Sequence, residues 1–380
     1  MDSAHLLSLT GAFRGRRVVV IGDVVADEFV YGRVARVSRE APVLILEYDS
    51  TEIVPGGAGN AANNVAALGG TAALVAMVGR DDPARRVLDA LHRRVDPAHL
   101  VRMNLTPTPI KTRILAGGVH SAKQQVVRID RAVRRTMDAR SRQAFERAVL
   151  GAIRRADAVL LSDYGSGLVT PALARKVRAE LKRVGTPIPV LVDSRYRLLE
   201  YTGLTISTPN QSEVEQALDV RIGDNLGALE RAGREILERT GMQAVLVTRG
   251  SRGMALFVPD TPTVHVPIFG TDSIVDVTGA GDTVVSTVAL ALAAGGSFEA
   301  AARLANCAGG LVVMKRGTAT VSGDELRAAL ADRSAPRTKD GGQRAADGRL
   351  PRRSARKKRG ANAGLPRRSA RAKRGAKAGG

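Results

Sequence analysis

Short β-rich runs alternate with longer helical runs along most of this chain. Strands are expected at residues 17–22, 72–78, 158–162, 189–193, 204–208 and 244–248. Helices are expected at residues 60–68, 83–94, 139–155, 171–184, 212–218, 226–239, 282–294 and 298–314. Parallel strands need a crossover connection, and a helix commonly provides it. The alternation therefore predicts an α/β fold whose central sheet is mostly parallel.

A glycine-rich loop at residues 276–283, with the sequence Asp-Val-Thr-Gly-Ala-Gly-Asp-Thr, opens an apolar helical run. Gly279 and Gly281 let the backbone approach a ligand closely, and N–H groups at a helix start favour an anion. A carboxylate at Asp282 would repel bound phosphate unless it takes a proton from an attacking hydroxyl. We interpret Asp282 as a general base, with an ordinary helix start after a glycine turn as the alternative.

A second glycine-rich cluster lies at residues 55–64 and also leads into a helical run. It contains Gly56, Gly57 and Asn60, with Asn63 three residues further on. The two motifs together resemble those of the ribokinase/PfkB carbohydrate kinase family, whose members carry a Gly-Gly…Asn sugar motif and a Gly-Ala-Gly-Asp catalytic motif. The resemblance covers residues 16–322 and implies a ribokinase-like three-layer sandwich in one kinase domain over residues 1–332.

Within this family the chain is most similar to the D-glycero-β-D-manno-heptose 7-phosphate kinase half of bifunctional ADP-heptose synthases. The segments that carry this similarity are 22–27, 36–43, 124–130, 161–164, 302–306 and 315–322. The resemblance implies that ATP phosphorylates the anomeric O1 to give the 1,7-bisphosphate, a step of ADP-heptose biosynthesis. Two segments depart from the heptose kinases, which carry lysine where this chain has Gly165-Ser166-Gly167 and Pro-Lys-Gly where it has Ser194-Arg195-Tyr196. Another sugar therefore stays open as the substrate.

Three strand-like segments, residues 43–49, 109–116 and 124–130, fall outside the main alternation. The resemblance implies a small β-lid over the sugar site, built from about residues 31–50 and 108–130. A lid is chemically sensible because water left in a kinase site would hydrolyse ATP. We also expect a homodimer that forms through this lid.

Several residues are candidates for holding the substrate. Asp27 follows the first strand at the sheet edge where open α/β folds bind ligands, and it matches the family's sugar-binding aspartate. The backbone of Gly56 and Gly57 and the amide of Asn60 would complete this side, with an Asx turn for Asp27 and helix capping for Asn60 as alternatives. Asn63 is a further candidate.

Cations on the predicted lid are candidates for a distal sugar phosphate. Lys111 and Arg113 alternate with apolar residues on one strand, so both face the same side of it. Arg128 and Arg36 are further candidates. A solvated strand face is the alternative for each of these residues.

The resemblance also implies a nucleotide site. Asn210 and Glu213 fall on the family's Asn-x-x-Glu motif, whose carboxylate organises hydrated Mg²⁺, and Ser212 is placed to cap the following helix. Mg²⁺ keeps several waters and uses few protein carboxylates, so one glutamate is plausible. ATP and Mg²⁺ are the expected cofactors, and the resemblance leaves room for a monovalent cation. The expected ATP-binding residues are Asn210, Gln211, Ser212, Glu213, Thr248, Gly250, Gly253 and Asn306.

Other enzyme classes lack their motifs in this sequence. No Gly-x-x-x-x-Gly-Lys-Ser/Thr motif is present, which excludes a P-loop kinase. No Gly-x-Gly-x-x-Gly follows a strand, which argues against a dinucleotide enzyme. The five histidines are isolated from one another, and no His-x-Gly-His motif occurs. We therefore expect no adenylyltransferase activity.

Composition bounds the compartment and the chemistry. No apolar run reaches the roughly 18 residues of a membrane span, and the first residues lack the pattern of a secretory signal. A cytoplasmic protein without a membrane partner is expected. Cys307 is the only cysteine, which excludes an internal disulfide, and we expect it to be a small buried core residue.

The last 48 residues differ in kind from the rest of the chain. Residues 333–380 hold 17 of the 58 lysines and arginines and carry a net charge of +15, whereas the remainder carries +6. Residues 350–364 and 365–379 are near repeats, identical at thirteen of fifteen positions. Without aromatic residues the segment is expected to be a disordered basic tail. It would bind nucleic acid or another polyanion, or else serve only as a solvated tail.

The sequence thus supports three functional hypotheses. The first is a heptose 7-phosphate kinase, in which Asp282 takes the proton and the backbone of Gly279, Ala280 and Gly281 stabilises the transferred phosphoryl group. The second is another sugar kinase of the same family. The third is a nucleic-acid-associated protein on an inactive kinase scaffold, which the basic tail favours and Asp282 opposes.

Overall fold

The computed structural model describes residues 3–104, 106–117, 123–131, 137–270 and 275–334. The predicted basic tail at 333–380 lies outside the described residues, apart from the final turn of a helix that ends at Ser334. The strands are β1 Arg17–Gly22, β2 Val24–Val37, β3 Leu44–Gly57, β4 Thr71–Val75, β5 Met77–Val78, β6 Val95–Asp96, β7 Val101–Arg102, β8 Ile110–Gly117, β9 Gln124–Arg131, β10 Ala158–Asp163, β11 Val190–Ser194, β12 Ile206–Ser207, β13 Ala244–Thr248, β14 Met254–Phe257 and β15 Val264–Val266.

Helices precede, separate and follow these strands along the chain. They are α1 Ser3–Gly11, α2 Ala58–Ala67, α3 Asp82–Asp89, α4 Ala139–Ala152, α5 Pro171–Arg183, α6 Gln211–Leu218, α7 Leu226–Thr240, α8 Ala280–Ala293, α9 Phe298–Val312 and α10 Gly323–Ser334. Short 3₁₀ turns occur at Ile153–Arg155, Leu198–Glu200 and Gly250–Arg252. No helix in the described ranges is long and apolar enough to cross a bilayer.

The central sheet has nine strands in the order β15-β14-β13-β12-β11-β10-β1-β4-β6. All pairs from β6 to β13 are parallel, and β14 and β15 join antiparallel at one edge. β1 is an inner strand between β10 and β4. Its residues Val18 to Ile21 are fully buried, so both faces of the strand are covered. Such continuous apolar runs are typical of parallel strands covered on both sides. The predicted α/β fold with a mostly parallel central sheet is confirmed.

Helices cover both faces of this sheet and give three layers. Val18 and Val20 point to one face, where they belong to a core that includes α2, α8 and α9. Val19 and Ile21 point to the other face and pack in a core with α4 and α5. This alternation follows from the two-residue period of a strand.

A second sheet of four strands has the order β3-β2-β8-β9. The three expected strand-like segments overlap β3, β8 and β9, and β2, which enters the predicted lid range only at residue 31, is an additional strand. β2 pairs antiparallel with β3 and parallel with β8, and β9 is exposed along its whole length. β2 starts two residues after β1 ends, so the second sheet grows directly out of the central one.

Some expected elements differ in extent from the observed ones. The expected strand at 72–78 is divided into β4 and β5, and the expected strand at 204–208 contributes only Ile206–Ser207. The helix expected at 83–94 ends at Asp89. Seven of the observed elements were not expected, namely α1, β2, β6, β7, β14, β15 and α10. β14 and β15 have four and three residues, too few for a periodic pattern to distinguish a strand from a loop.

Candidate active site

The two glycine motifs meet in space at the start of α8. Gly279 caps this helix with φ of 77°, in the left-handed region that favours glycine. A Cβ atom at Gly279 would stand 2.5 Å from Nδ2 of Asn60, so the close approach of α2 and α8 also requires a glycine. Tertiary structure thus brings together Asn60 and Gly279, which are 219 positions apart in the chain.

Asp282 lies in the first turn of α8 with its side chain almost completely buried. Its Oδ2 accepts a hydrogen bond from Nδ2 of Asn60 at 2.7 Å, and its Oδ1 accepts one from the Tyr164 hydroxyl at 3.0 Å. Burial raises the pKa of Asp282 to about 7, against the opposing effect of these two hydrogen bonds. A carboxyl that titrates near neutral pH is suited to general base catalysis.

The N–H groups before Asp282 differ in their availability. The Ala280 N–H donates to the Val277 carbonyl at 3.2 Å. Those of Gly279 and Gly281 have no acceptor among the described residues. The first N–H groups of a helix lack intrahelical partners and can therefore bind an anion. The anion site expected from Gly279, Ala280 and Gly281 has two free donors.

The two asparagines of the first motif have different roles. Asn60 lies inside α2, which begins at Ala58 after the cap residue Gly57, so Asn60 does not cap this helix. Its amide instead holds Asp282, while its own Oδ1 accepts from Asn64 at 3.1 Å. Asn63 turns away and donates to the Ala90 carbonyl at 3.3 Å. Asn60 is thus brought to the site, and Asn63 is not.

Asp27 and Arg113 form an ion pair between β2 and β8. Arg113 Nη1 lies 2.7 Å from Asp27 Oδ1, and their side chains are only 12% and 9% exposed. Thr318 donates to the other carboxylate oxygen at 3.3 Å. A Cβ atom at Gly56 would stand 2.3 Å from Asp27 Oδ2, so this carboxylate packs directly on the glycine motif.

The pairing of Arg113 changes what it can do for a substrate. A guanidinium engaged with a buried carboxylate fixes that carboxylate, and only its remaining N–H donors could meet a phosphate. Arg128 is likewise paired, with Asp130, through bonds of 2.7 and 2.8 Å. Neither arginine is a free cation.

Lys111, unlike Arg113 and Arg128, is not held by a carboxylate. It has no ion-pair partner among the described residues, and its Nζ lies 5.2 Å from the ring centroid of Tyr164. Desolvation lowers the pKa of Lys111, and the negative charge of Asp27 opposes that shift. A partly desolvated ammonium group without a partner favours the binding of an anion.

The expected nucleotide motif forms the start of α6. Asn210 is the cap residue, and it forms a reciprocal capping box with Glu213 through two bonds of 2.9 Å. Ser212, which the sequence placed at the cap, therefore lies in the first turn instead. Burial raises the pKa of Glu213, and the Asn210 backbone N–H opposes the shift. The predicted metal residue thus also has a structural role.

A cavity of about 530 Å³ lies beside this helix start. Five of the eight expected ATP-binding residues line it, namely Asn210, Gln211, Ser212, Thr248 and Gly250. The amide of Gln211 is already bonded to the Gly223 carbonyl at 2.9 Å, so its side chain is committed to the protein. A larger cavity of about 890 Å³ lies at the opposite edge of the sheet and contains no expected site residue.

The other three expected ATP-binding residues, Glu213, Gly253 and Asn306, do not line the cavity beside the start of α6. A Cβ atom at Gly253 would stand 2.1 Å from the Val266 carbonyl oxygen, so this glycine serves strand packing. Asn306 donates to the Pro267 carbonyl at 2.8 Å and lines a separate cavity of about 140 Å³. Its neighbour Cys307 is buried, as expected.

Three residues at the site were missing from the sequence-based set. Tyr164 donates a hydrogen bond to Asp282, and Thr318 donates one to Asp27. Asp193 is the second-last residue of β11, and its side chain has no hydrogen-bond or ion-pair partner among the described residues. Burial is the larger cause that raises the pKa of the Asp193 carboxyl well above its usual range, and repulsion from Glu213 raises it further. A usable signal existed for Asp193 and Tyr164, because each comes at the carboxyl end of a predicted buried strand.

The carboxylates of Asp193 and Glu213 fit Mg²⁺. The described residues contain no cluster of three metal-ligating side chains. Asp193 and Glu213 are close enough to repel each other and supply two carboxylates. Mg²⁺ retains several waters and takes one or two protein carboxylates beside phosphates, so this donor set suits it.

Comparisons with known proteins agree with this architecture. The bifunctional protein HldE of Caulobacter vibrioides is 42% identical over 331 residues, which are 86% of this chain and 66% of that protein. Arabidopsis thaliana ribokinase, solved with ribose and ATP, has a TM-score of 0.64 at 21% identity and covers 83% of this chain and 99% of its own. Escherichia coli phosphofructokinase-2, solved with fructose-6-phosphate, has a TM-score of 0.67 at 18% identity, with 85% and 100% covered.

The two solved structures share the fold of this chain. The HldE relatives are longer, and this chain spans just under two thirds of their length. Residues 16–324 match the pfkB family of carbohydrate kinases, which is most of the described chain. The match begins just before β1 and ends within α10, so it includes both sheets and every residue contacting Asp282. The chain therefore belongs to the pfkB carbohydrate kinase family and is a phosphotransferase with a sugar acceptor.

Proposed function

We propose that this kinase phosphorylates O1 of D-glycero-β-D-manno-heptose 7-phosphate in ADP-heptose biosynthesis. The carrying observation is the placement of Asp282, a buried carboxyl with a near-neutral pKa, at the free N–H groups of Gly279 and Gly281. The similarity to HldE proteins, at 42% identity, supports the choice of sugar. Lys111 supports a phosphorylated acceptor because it is a partly desolvated cation without a partner.

In the proposed reaction, Asp282 accepts the proton of the sugar O1 hydroxyl while O1 forms a bond to the γ-phosphorus of ATP. The bond between that phosphorus and the β,γ-bridging oxygen breaks, and ADP leaves. The N–H groups of Gly279 and Gly281 stabilise the charge on the transferred group. Mg²⁺, when bound, screens the phosphate charges, and Asp193 and Glu213 are the residues that would hold it.

Each remaining substrate contact has an assigned place in this proposal. Asp27, fixed by Arg113 and Thr318, would accept hydrogen bonds from sugar hydroxyls. Lys111 would bind the 7-phosphate with the spare donors of Arg113. The adenine contact expected of Asn306 requires that its present bond to the Pro267 carbonyl be replaced or shared.

The wider organisation is also a proposal. A homodimer through the second sheet is supported by the exposed apolar side chains of that sheet, which are otherwise unfavourable in water. These residues are Val34, Val37, Leu44, Tyr48, Val126, Val127 and Ile129. We further propose a kinase domain at 1–332, a cytoplasmic location, and a polyanion-binding role for the tail at 333–380.

A second candidate function is phosphorylation of a different sugar. The pairing of Arg113 with Asp27 favours it, because a guanidinium held by a buried carboxylate has fewer donors left for a sugar phosphate. The departures at Gly165-Ser166-Gly167 and Ser194-Arg195-Tyr196 point the same way. ATP turnover tests the third hypothesis. Both sugar-kinase hypotheses predict it, whereas a nucleic-acid-associated protein on an inactive scaffold would show none.

The deciding experiment is a coupled ADP-release screen of the full chain over heptose 7-phosphate, free heptose, ribose and fructose. Heptose 7-phosphate should have the highest kcat/KM. Lys111→Ala should lower kcat/KM for the phosphorylated sugar by about 10- to 100-fold, the effect of one charge-assisted contact, and change that for free sugars little. Equal use of free and phosphorylated sugars would contradict the heptose assignment and support the second candidate.

A further inference from the structure

Tyr164 connects the proposed base to the surrounding elements, although no sugar or nucleotide role accounts for it. It immediately follows β10, at the carboxyl edge of the central sheet. Its hydroxyl donates to Asp282 Oδ1 at 3.0 Å, and Asn60 of α2 donates to the other oxygen at 2.7 Å. The carboxylate is thus held at both oxygens by two different elements.

The ring of Tyr164 is itself fixed on several sides. Its backbone N–H donates to Asp23 Oδ2 at 3.3 Å, directly after β1. A Cβ atom at Gly57 would lie 3.4 Å from ring atom Cε2, so the glycine turn leaves the space that the ring occupies. Nζ of Lys111 lies over the ring, 5.2 Å from its centroid. The hydroxyl therefore has little freedom to leave Asp282.

The protonation state of Tyr164 suits a permanent donor. Desolvation raises its pKa well above 10.0, and the adjacent Asp282 carboxylate raises it further. The phenol therefore keeps its proton around neutral pH. A hydrogen bond to an ionised carboxylate stabilises the charged form and lowers its pKa.

We propose that Tyr164 is a positioning residue that orients the Asp282 carboxylate and favours its ionised form at neutral pH. This inference rests on the proposed role of Asp282 as the base. Without the Tyr164 hydroxyl, Asp282 Oδ1 would have no side-chain donor within the part of the chain that the structure describes, and the carboxyl could rotate about the remaining Asn60 bond. The other charged groups that face Asp282 are Asp27 of β2, Lys111 of β8 and Asp193 of β11.

Tyr164→Phe removes the hydroxyl and keeps the ring. The acid limb of the kcat–pH profile should move up by about one unit, the lower end of what one hydrogen bond to a charged group contributes. Turnover at pH 7 should fall about fivefold, the loss should narrow above pH 9, and KM for ATP should stay unchanged. A merely structural role would lower activity equally at all pH values.

Tyr201→Phe is the matched control. The Tyr201 hydroxyl donates to Asp163 Oδ2 at 2.7 Å in a fully buried setting, so this variant loses the same kind of bond to a different carboxylate. It should lower the melting temperature without moving the acid limb. If Tyr164→Phe does not fold, 2,3-difluorotyrosine placed at position 164 supplies a stronger donor of similar shape, and the limb should then move down.

A direct measurement separates this inference from the choice of substrate. The Asp282 carboxyl ¹³C resonance, assigned by its absence in Asp282→Asn, should titrate about one unit higher in Tyr164→Phe without any sugar present. An unchanged titration together with an unchanged acid limb would overturn the positioning role. If Asp282→Asn keeps most of its turnover, the proposed base is wrong instead.

Discussion

Asp282 should control how phosphoryl transfer depends on pH. Its carboxyl is 4% exposed and has a pKa of about 7, against an ordinary value of 3.8. Only the ionised form accepts a proton, so turnover should fall about tenfold for each pH unit below 7 and level off above pH 8. Asp282→Asn should lower turnover by about 10²- to 10⁴-fold at pH 8.

The same pKa makes a prediction about stability. The folded state binds the Asp282 proton more tightly than the unfolded chain does. The resulting stabilisation is fully present below about pH 4 and is lost as the pH rises through 7. A shift of three units corresponds to roughly 4 kcal/mol at this buried site. Asp282→Asn cannot ionise, so its stability relative to the parent should rise by about 1.4 kcal/mol per unit between pH 5 and 7.

Urea unfolding of both proteins at pH 5, 6, 7 and 8 measures this difference, and ADP release from the same samples measures turnover. Stability curves that run parallel across this range would refute the assigned burial of Asp282. An acid limb centred near pH 4, or turnover of Asp282→Asn within about tenfold of the parent, would refute its role as the base.

Three further predictions address other parts of the molecule. Arg113→Ala should cost about 3–5 kcal/mol in urea unfolding, because it leaves the buried Asp27 carboxylate unpaired, and a loss below 1 kcal/mol would contradict this pairing. Gly279→Ala should reduce kcat at least about 100-fold, because the loop must leave its φ of 77° and move away from α2. Circular dichroism should show an unchanged fold, and a near-parental kcat would argue against the anion site. Deletion of residues 333–380 should leave kinase kinetics unchanged and remove most salt-sensitive affinity for duplex DNA, and a deleted protein that still binds DNA tightly at moderate salt would place the binding surface on the kinase domain.

Much of the fold and the centre of the site follow from local sequence patterns. Residues 17–22 and 158–162 read as buried parallel strands because their apolar runs are short and uninterrupted. Gly279 and Asp282 were identifiable because an anion site at a helix start needs a glycine turn and an N–H cluster within a few consecutive residues. Such patterns can be recognised in the sequence because the groups that produce them are neighbours in the chain.

Partner choice among side chains was decided by the tertiary structure alone. From the sequence, Lys111 and Arg113 looked equivalent, yet Arg113 is buried against Asp27 and Lys111 is free. Likewise, nothing local to Tyr164 indicates that it holds a carboxylate 118 residues away. Charge pairing and desolvation depend on which strands lie side by side, and the order of strands in a sheet is a property of the whole chain. The sequence by itself therefore determined the fold class and indicated Asp282 as the proposed base, while packing decided that Arg113 is held by a carboxylate and Lys111 is not.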